Sequence, residues 1–213
     1  MNITRMPLGI LMANCYIIET EKKNAVLIDP GSQPAKLIKY LDENNIIPKK
    51  ILLTHGHFDH IGAVPEIVEK YGSEVYIHEN DAVMLSDRRM SLADDVGGGI
   101  YRTVEKYNCV HDGDRIVLDE LDFEVLHTPG HTKGGVCYRC GDSLFTGDTL
   151  FCLSMGRTDF PGGSLGEMYH SLKRLGAIPG DLDVFPGHNE TTTLDFERKN
   201  NPCLKGNPYE DII

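Results

Sequence analysis

The stretch ILLTHGHFDHIGA, residues 51–63, puts three histidines and an aspartate within six positions, directly behind an apolar run. A lone surface histidine carries no message, but His55, His57 and His60 beside Asp59 demand a reason. If the chain stays extended from Thr54 to His57, strand alternation sends His55 and His57 to the same side. Gly56 between them leaves room for another backbone or an ion. Asp59 and His60 are neighbours, so an extended chain would send them opposite ways. The chain must therefore turn at FDHIG, ahead of a helix. One turn then presents two ligand pairs to two neighbouring points in space.

Four ligands do not close two metal sites. Three more candidates lie downstream, each behind an apolar strand and a glycine: His131 in HTPGHTKGG, Asp148 in LFTGDTLF and His188 in VFPGHNE. Functional groups commonly sit at strand ends, where loops meet a rigid sheet. The candidate set is thus five histidines and two carboxylates.

Around these motifs the chain alternates strands and helices. The N-terminal residues read as a first strand. CYIIET and AVLIDPG flank the charged turn EKKN and predict a hairpin. QPAKLIKYLDENN has a helical apolar period. KKILLTH is a short buried strand, VPEIVEKYG a helix with Pro65 in its first turn and Gly72 at its end, and SEVYIH a strand. Residues 85–108 read as an irregular lid or insert, preceded by a short helix near Asp81 to Leu85, with Tyr101 and Tyr107 as candidate pocket-lining residues. Then come DRIVL, FEVLHT, GVCYRC and SLFTGDTLF as strands, SLGEMYHSLKRLG as a helix capped by Ser164, DLDVFPG as a strand and TLDFERKN as a last helix. Two halves, each β-rich first, suggest two sheets packed together with helices outside, in one domain over residues 1–213.

The formal net charge of −11 argues against a nucleic-acid partner. The apolar N-terminal stretch is interrupted by Asn14 and Glu19 and is too short to span a bilayer, so no membrane partner is expected. Six scattered cysteines in 213 residues do not form a disulfide framework and suit a reducing cytoplasm. Cys137 and Cys140 form a CxxC, but within a strand they face opposite sides and read as two ordinary cysteines. His78, His111, His127 and His170 lack the ligand context and read as structural.

THGHFDH, HTPGHTKGG, FTGDTLF and FPGH, in this order, resemble the metallo-β-lactamase-fold hydrolases. GRTDFPGGS and PGHNETTTLDFERKNNP are similar to the shorter form of the glyoxalase II (hydroxyacylglutathione hydrolase) branch. The resemblance implies an α/β fold, an αββα sandwich of two mixed sheets flanked by helices. It implies His55, His57 and His131 on one metal, Asp59, His60 and His188 on a second, and Asp148 bridging both. Zinc is the expected ion, with iron or manganese as alternatives. Asp29 in VLIDPG is expected to support the ligands by hydrogen bonding or to cap its own turn. Lys133 is a candidate for a substrate carboxylate, against the alternative of a solvated loop lysine. Arg157 is read as an ion-pair partner of Asp159.

Two ions sharing a water lower its pKa toward neutrality and supply a hydroxide, which Asp59 can orient or deprotonate. A thiolate leaves without a proton, so a site of this kind favours thioesters. The longer glyoxalase II enzymes add a helical region with glutathione contacts beyond the last helix here, so the thiol is left open. The expectation is a dinuclear thioester hydrolase with a small-molecule substrate. The alternatives on this fold are a mononuclear iron persulfide dioxygenase, a lactonase or a phosphodiesterase.

Overall fold

The computed structural model describes residues 1–94 and 102–205. Six strands form the first sheet in sequence order: β1 (Asn2–Leu8), β2 (Ala13–Glu19), β3 (Asn24–Ile28), β4 (Ile47–Leu52), β5 (Glu74–His78) and β6 (Asn108–Val110). β1 to β3 are antiparallel, and β3 to β6 run parallel. The second sheet contains β7 (Arg115–Leu118), β8 (Leu121–His127), β9 (Val136–Cys140), β10 (Ser143–Gly147), β13 (Asp183–Pro186) and β14 (Thr192–Thr193), in the order β14-β13-β10-β9-β8-β7. A separate ribbon pairs β11 (Leu150–Phe151) with β12 (Ser154–Met155). The helices are α1 (Pro34–Glu43), α2 (Phe58–Ile61), α3 (Val64–Tyr71), α4 (Leu165–Gly176) and α5 (Leu194–Asn200).

Strand alternation sorts the apolar side chains into layers. Cys15 and Ile17 of β2 face α1 and α3, together with Leu27 of β3, Leu37 and Leu41 of α1 and Ile67 of α3. Tyr16, Ile18, Val26 and Ile28 point the other way and meet Phe123, Val125, Tyr138 and Phe145 of the second sheet. Beyond it, Leu144 and Val184 pack on Met168, Leu172 and Leu175 of α4. Both sheets are covered on both faces, which is why their central strands are buried throughout. The result is the expected αββα sandwich. Cys137 belongs to the helix-side layer and Cys140 to the layer between the sheets, as strand alternation requires.

Two tyrosines cross the sandwich. Tyr16 Oη donates to Pro186 O at 2.6 Å, and Tyr138 Oη donates to Leu53 O at 2.9 Å. Leu53 and Pro186 each immediately precede a loop carrying metal-ligand candidates.

The structure corrects three readings. The N-terminal strand is a hairpin, with β1 and β2 joined by a turn at Gly9 to Met12. SLFTGDTLF is not one strand. It breaks after Gly147, whose φ of 47° turns the chain into Asp148 before β11 begins. The helix expected near Asp81 is a 3₁₀ helix over Glu79–Leu85. Of the 85–108 segment, residues 95–101, including Tyr101, lie outside the described residues. Tyr107 is exposed and lines no part of the candidate site.

Candidate metal centre

The loop after β4 is built around Asp29. This residue ends β3 with a left-handed φ of 48°. Its Oδ1 accepts from Thr54 N at 2.8 Å, and its Oδ2 accepts from Thr54 Oγ1 at 2.6 Å and His60 Nδ1 at 2.9 Å. Thr54 Oγ1 in turn accepts from His55 Nδ1 at 3.1 Å. Both histidines are thereby fixed with Nε2 turned away from Asp29. Asp29, His55 and His60 offer donor atoms within 4.8 Å of one another. Asp29's oxygens are already spent on the loop, however, so it orients ligands and does not compete to be one.

The chain turns where the sequence requires. His57 is extended, with φ −70° and ψ 147°, and Phe58 starts the one-turn α2. His55 and His57 stay on one side and are joined by His131, three donors within 4.8 Å. Asp59 and His60 are carried round to His188 in a second trio of the same tightness. Asp148 stands against both. Its Oδ1 lies 3.5 Å from His60 Nε2, and its Oδ2 lies 3.5 Å from His131 Nε2 and 3.6 Å from His188 Nε2. All seven sequence candidates therefore meet in one place.

The second sheet's contributions are oriented by backbone carbonyls. His131 Nδ1 donates to Arg157 O at 2.7 Å, leaving its Nε2 lone pair 2.9 Å from His57 Nδ1. His188 Nδ1 donates to Leu11 O at 3.1 Å, leaving Nε2 3.3 Å from Asp59 Oδ2. Gly187 is required beside it: a Cβ there would strike the Asp148 carboxylate and lie 2.9 Å from the His60 ring.

Does this set fit metal ions? Among the described residues, the buried side-chain atoms without a partner include His55 Nε2, His57 Nε2, His60 Nε2 and Asp148 Oδ1. Buried polar atoms are normally satisfied, so the orphans His55 Nε2, His60 Nε2 and Asp148 Oδ1, beside the close approach of His57 Nδ1 to His131 Nε2, mark a seat for shared cations. The electrostatics agree. Burial, and then the neighbouring imidazoles, push His55 and His57 down, His57 to about 3, so both keep free lone pairs. Burial also opposes charge on His60, yet Asp59, Asp148 and Asp29 around it raise it to about 10. The second trio thus calls for positive charge. Asp59 is held well below the usual carboxylate range: burial opposes this, but His60 and His188 outweigh it.

The structure adds Asp81, which the sequence did not single out. It is fully buried in the 3₁₀ helix. Its Oδ2 accepts from Thr132 Oγ1 at 2.6 Å and Gly56 N at 3.3 Å, and its Oδ1 accepts from Gly134 N at 2.7 Å. One carboxylate therefore ties the loop of His55 and His57 to the loop of His131. Gly56 makes room for this helix and not for an ion, because a Cβ would lie 2.5 Å from Met84 Cβ. Gly134 makes room for Asp81 itself, at 2.7 Å. Lys133 is not among the residues that line the cavity, and its stem lies beside Gly162. Thr132 is turned inward to Asp81, which leaves Lys133 exposed on the surface. Arg157 pairs with Asp159 through two bonds, 2.6 and 2.7 Å, as expected.

The profile of the Metallo-beta-lactamase superfamily matches residues 8–188. This chain belongs to that superfamily. Within it, the chain is 34% identical to hydroxyacylglutathione hydrolase GloC of Haemophilus influenzae, over 96% of this chain and 98% of that protein. The structure of BLEG-1 B3 metallo-beta-lactamase superposes with a TM-score of 0.91 at 33% identity, covering 96% of this chain and 100% of the other. TTHA1623 in a di-iron-bound form superposes with a TM-score of 0.85 at 39% identity, covering 93% and 98%. The chain is a metallo-hydrolase of the metallo-beta-lactamase superfamily, and its histidine and aspartate clusters point to divalent metal ions. No helix among the described residues is long and apolar enough to cross a membrane.

Proposed function

We propose that this metallo-hydrolase is a dinuclear thioester hydrolase. His55, His57 and His131 would hold one ion, Asp59, His60 and His188 the other, with Asp148 shared. The observation that carries the dinuclear reading is the Asp148 carboxylate, within 3.6 Å of rings from both trios. Three nitrogen donors with a carboxylate suit zinc. The same donors accommodate iron or manganese, and the related TTHA1623 holds two irons. The compartment proposed is a reducing cytoplasm, in keeping with six unpaired cysteines.

When bound, such ions supply a water acidified from about 15.7 toward neutrality and positive charge for a developing oxyanion. The residues do the rest. Asp59 lines the cavity, stays ionised and is placed to orient the water and take its proton. Arg157 O and Leu11 O hold His131 and His188 in the tautomer that leaves Nε2 unprotonated. Among the described residues, the cavity's donors outside the ligand set are Ser154 and Arg157. Neither is an acid at neutral pH. An amide nitrogen would need one in order to leave, whereas a thiolate does not, since a thiol has a pKa of roughly 8.5. The hydroxyacylglutathione hydrolase named among the relatives supports the same choice.

The test is metal analysis of natively expressed protein, followed by assays on the same sample with thioesters, a β-lactam, and glutathione persulfide under oxygen monitoring. The expected result is two ions per chain and thiol release that chelation and His57→Ala abolish. One iron per chain with oxygen uptake on the persulfide would replace this reading with a dioxygenase. Loaded protein inert toward every thioester would remove it.

A further inference from the structure

The floor of the cavity, about 390 Å³, is polar, but its walls are not. Phe58, Leu92 and Phe160 belong to a small apolar cluster separate from the three core layers. Phe151 and Met155 of the β11–β12 ribbon line the same space, and Leu11 reaches it from the β1–β2 turn. Arg157 is the cationic lining residue outside the ligand set. Its guanidinium lies 4.1 Å over the Phe160 ring and is doubly bonded to Asp159. Segments 95–101 (DVGGGIY) and 206–213 (GNPYEDII) contain no lysine or arginine, so neither supplies another cation. Apart from the ions proposed at its floor, the lining would thus offer a charged acyl group no uncommitted counter-charge.

At the mouth the apolar surface continues outward. The β1–β2 turn exposes Ile10 (75%), Leu11 (44%) and Met12 (57%) in succession, and the ribbon turn exposes Leu153 (47%). Single exposed apolar residues are ordinary, but three in a row are not. Met12 and Leu153 also sit at left-handed φ values of 55° and 56°, where glycine would be easier. Both turns hold a large apolar side chain in a conformation that disfavours one. Leu11, between Ile10 and Met12, joins this surface to the cavity.

We propose that this apolar path receives the acyl chain, so that the substrates are uncharged acyl thioesters of medium length in preference to short hydroxyacyl conjugates. The inference rests on the thioester reading above. In the reaction the acyl C–S bond breaks, and water gives its OH to the acyl carbon and its remaining proton to the thiolate. The products are a carboxylic acid and a thiol.

The test is a series of acetyl to decanoyl thioesters of one neutral thiol, N-acetylcysteamine, with the S-lactoyl ester beside them, on metal-loaded protein. kcat/KM should climb by about fourfold per methylene while the chain lies on the apolar path, the equivalent of about 0.8 kcal/mol each. Octanoyl should therefore exceed acetyl by more than 100-fold. The double variant Ile10→Ser/Met12→Ser should lower that octanoyl-to-acetyl ratio at least tenfold, with the thermal midpoint retained. A flat series, a preference for S-lactoyl, or a variant that keeps the ratio would overturn the inference and leave the thioesterase standing. So would a variant whose only change is its oligomeric state, which would make the turn a contact between copies. Binding of the matching S-alkyl thioethers, followed by calorimetry, separates the two failures. If affinity rises with chain length but no thioester turns over, the path exists and the thioesterase reading is what fails.

Discussion

Replacing Asp81 by alanine should loosen the metal centre without touching a ligand. The carboxylate takes three donors, from Thr132 Oγ1 at 2.6 Å, Gly134 N at 2.7 Å and Gly56 N at 3.3 Å, in a fully buried position. Stranding a buried donor costs about 1–3 kcal/mol. Two short bonds and one long one lost together should therefore cost about 3–5 kcal/mol, or a fall of about 10 °C in melting temperature for a chain of this size. Asp81→Asn should behave differently. Burial outweighs the hydrogen bonds to Asp81 and raises its pKa, so its charge is itself unfavourable in the fold. The amide removes that charge and keeps an acceptor for Gly134 N, and Thr132 can reverse its hydroxyl to accept; only the long 3.3 Å bond from Gly56 N is lost, its cost offset in part by the removed charge. Its net cost should stay within about 1 kcal/mol. Urea denaturation gives the stability, and competition with a chelator gives the metal affinity, which a merely structural residue elsewhere would leave alone. The alanine variant should release metal at least tenfold more readily and the asparagine variant much less so. If Asp81→Ala kept wild-type stability and metal retention, the clamp described here would be wrong.

Metal stoichiometry should follow the two trios: His57→Ala and His60→Ala should each lose one ion per chain, and Asp148→Ala should weaken both, as read by elemental analysis. Gly187→Ala should weaken metal binding at least tenfold, because the new methyl occupies the space of the Asp148 carboxylate; retained stoichiometry at equal chelator would refute it. Stability should also respond to pH through His78. Its ring stacks on His127 at 4.1 Å, and burial, then His127, lower its pKa to about 4. An unfolded histidine titrates near 6.5. As pH falls from about 6.5 to 4 the unfolded state binds the proton first, so stability falls across that window. His78→Phe should flatten the fall in urea midpoints relative to wild type, and an unchanged slope would count against the assignment.

Much of this was legible because it is local. The apolar alternation of β2 and β3, the helical period of α1 and the Ser164 cap each depend on residues close in sequence. The ligand candidates were legible for a related reason. Each lies within a few residues after a strand, and side-chain alternation plus one forced turn divides His55 and His57 from Asp59 and His60. What escaped depends on partners far apart in the chain. Asp81 is an ordinary residue in HENDAVML until Gly56 and Gly134 are brought against it. Leu11 matters through its carbonyl, which no side-chain pattern encodes. The stacking of His78 on His127 arises only when β5 and β8 come together at the same end of the sandwich. The direction of Lys133 was not legible either, because closeness in sequence to His131 says nothing of it; the inward turn of Thr132 toward Asp81 leaves Lys133 exposed.

The two tyrosines that cross the sandwich have a consequence for how metal leaves. Tyr138 grips Leu53, two residues before His55, and Tyr16 grips Pro186, two before His188. The first sheet supplies four of the seven ligands on the loop after β4, and the second supplies the other three. The centre is therefore a seam, closed by the same bonds that hold the sheets face to face. Slippage of one sheet against the other would break the hydrogen bonds and open the cage in a single motion. Ion escape should then track the rare parting of the layers, and its rate would serve as a clock for that event.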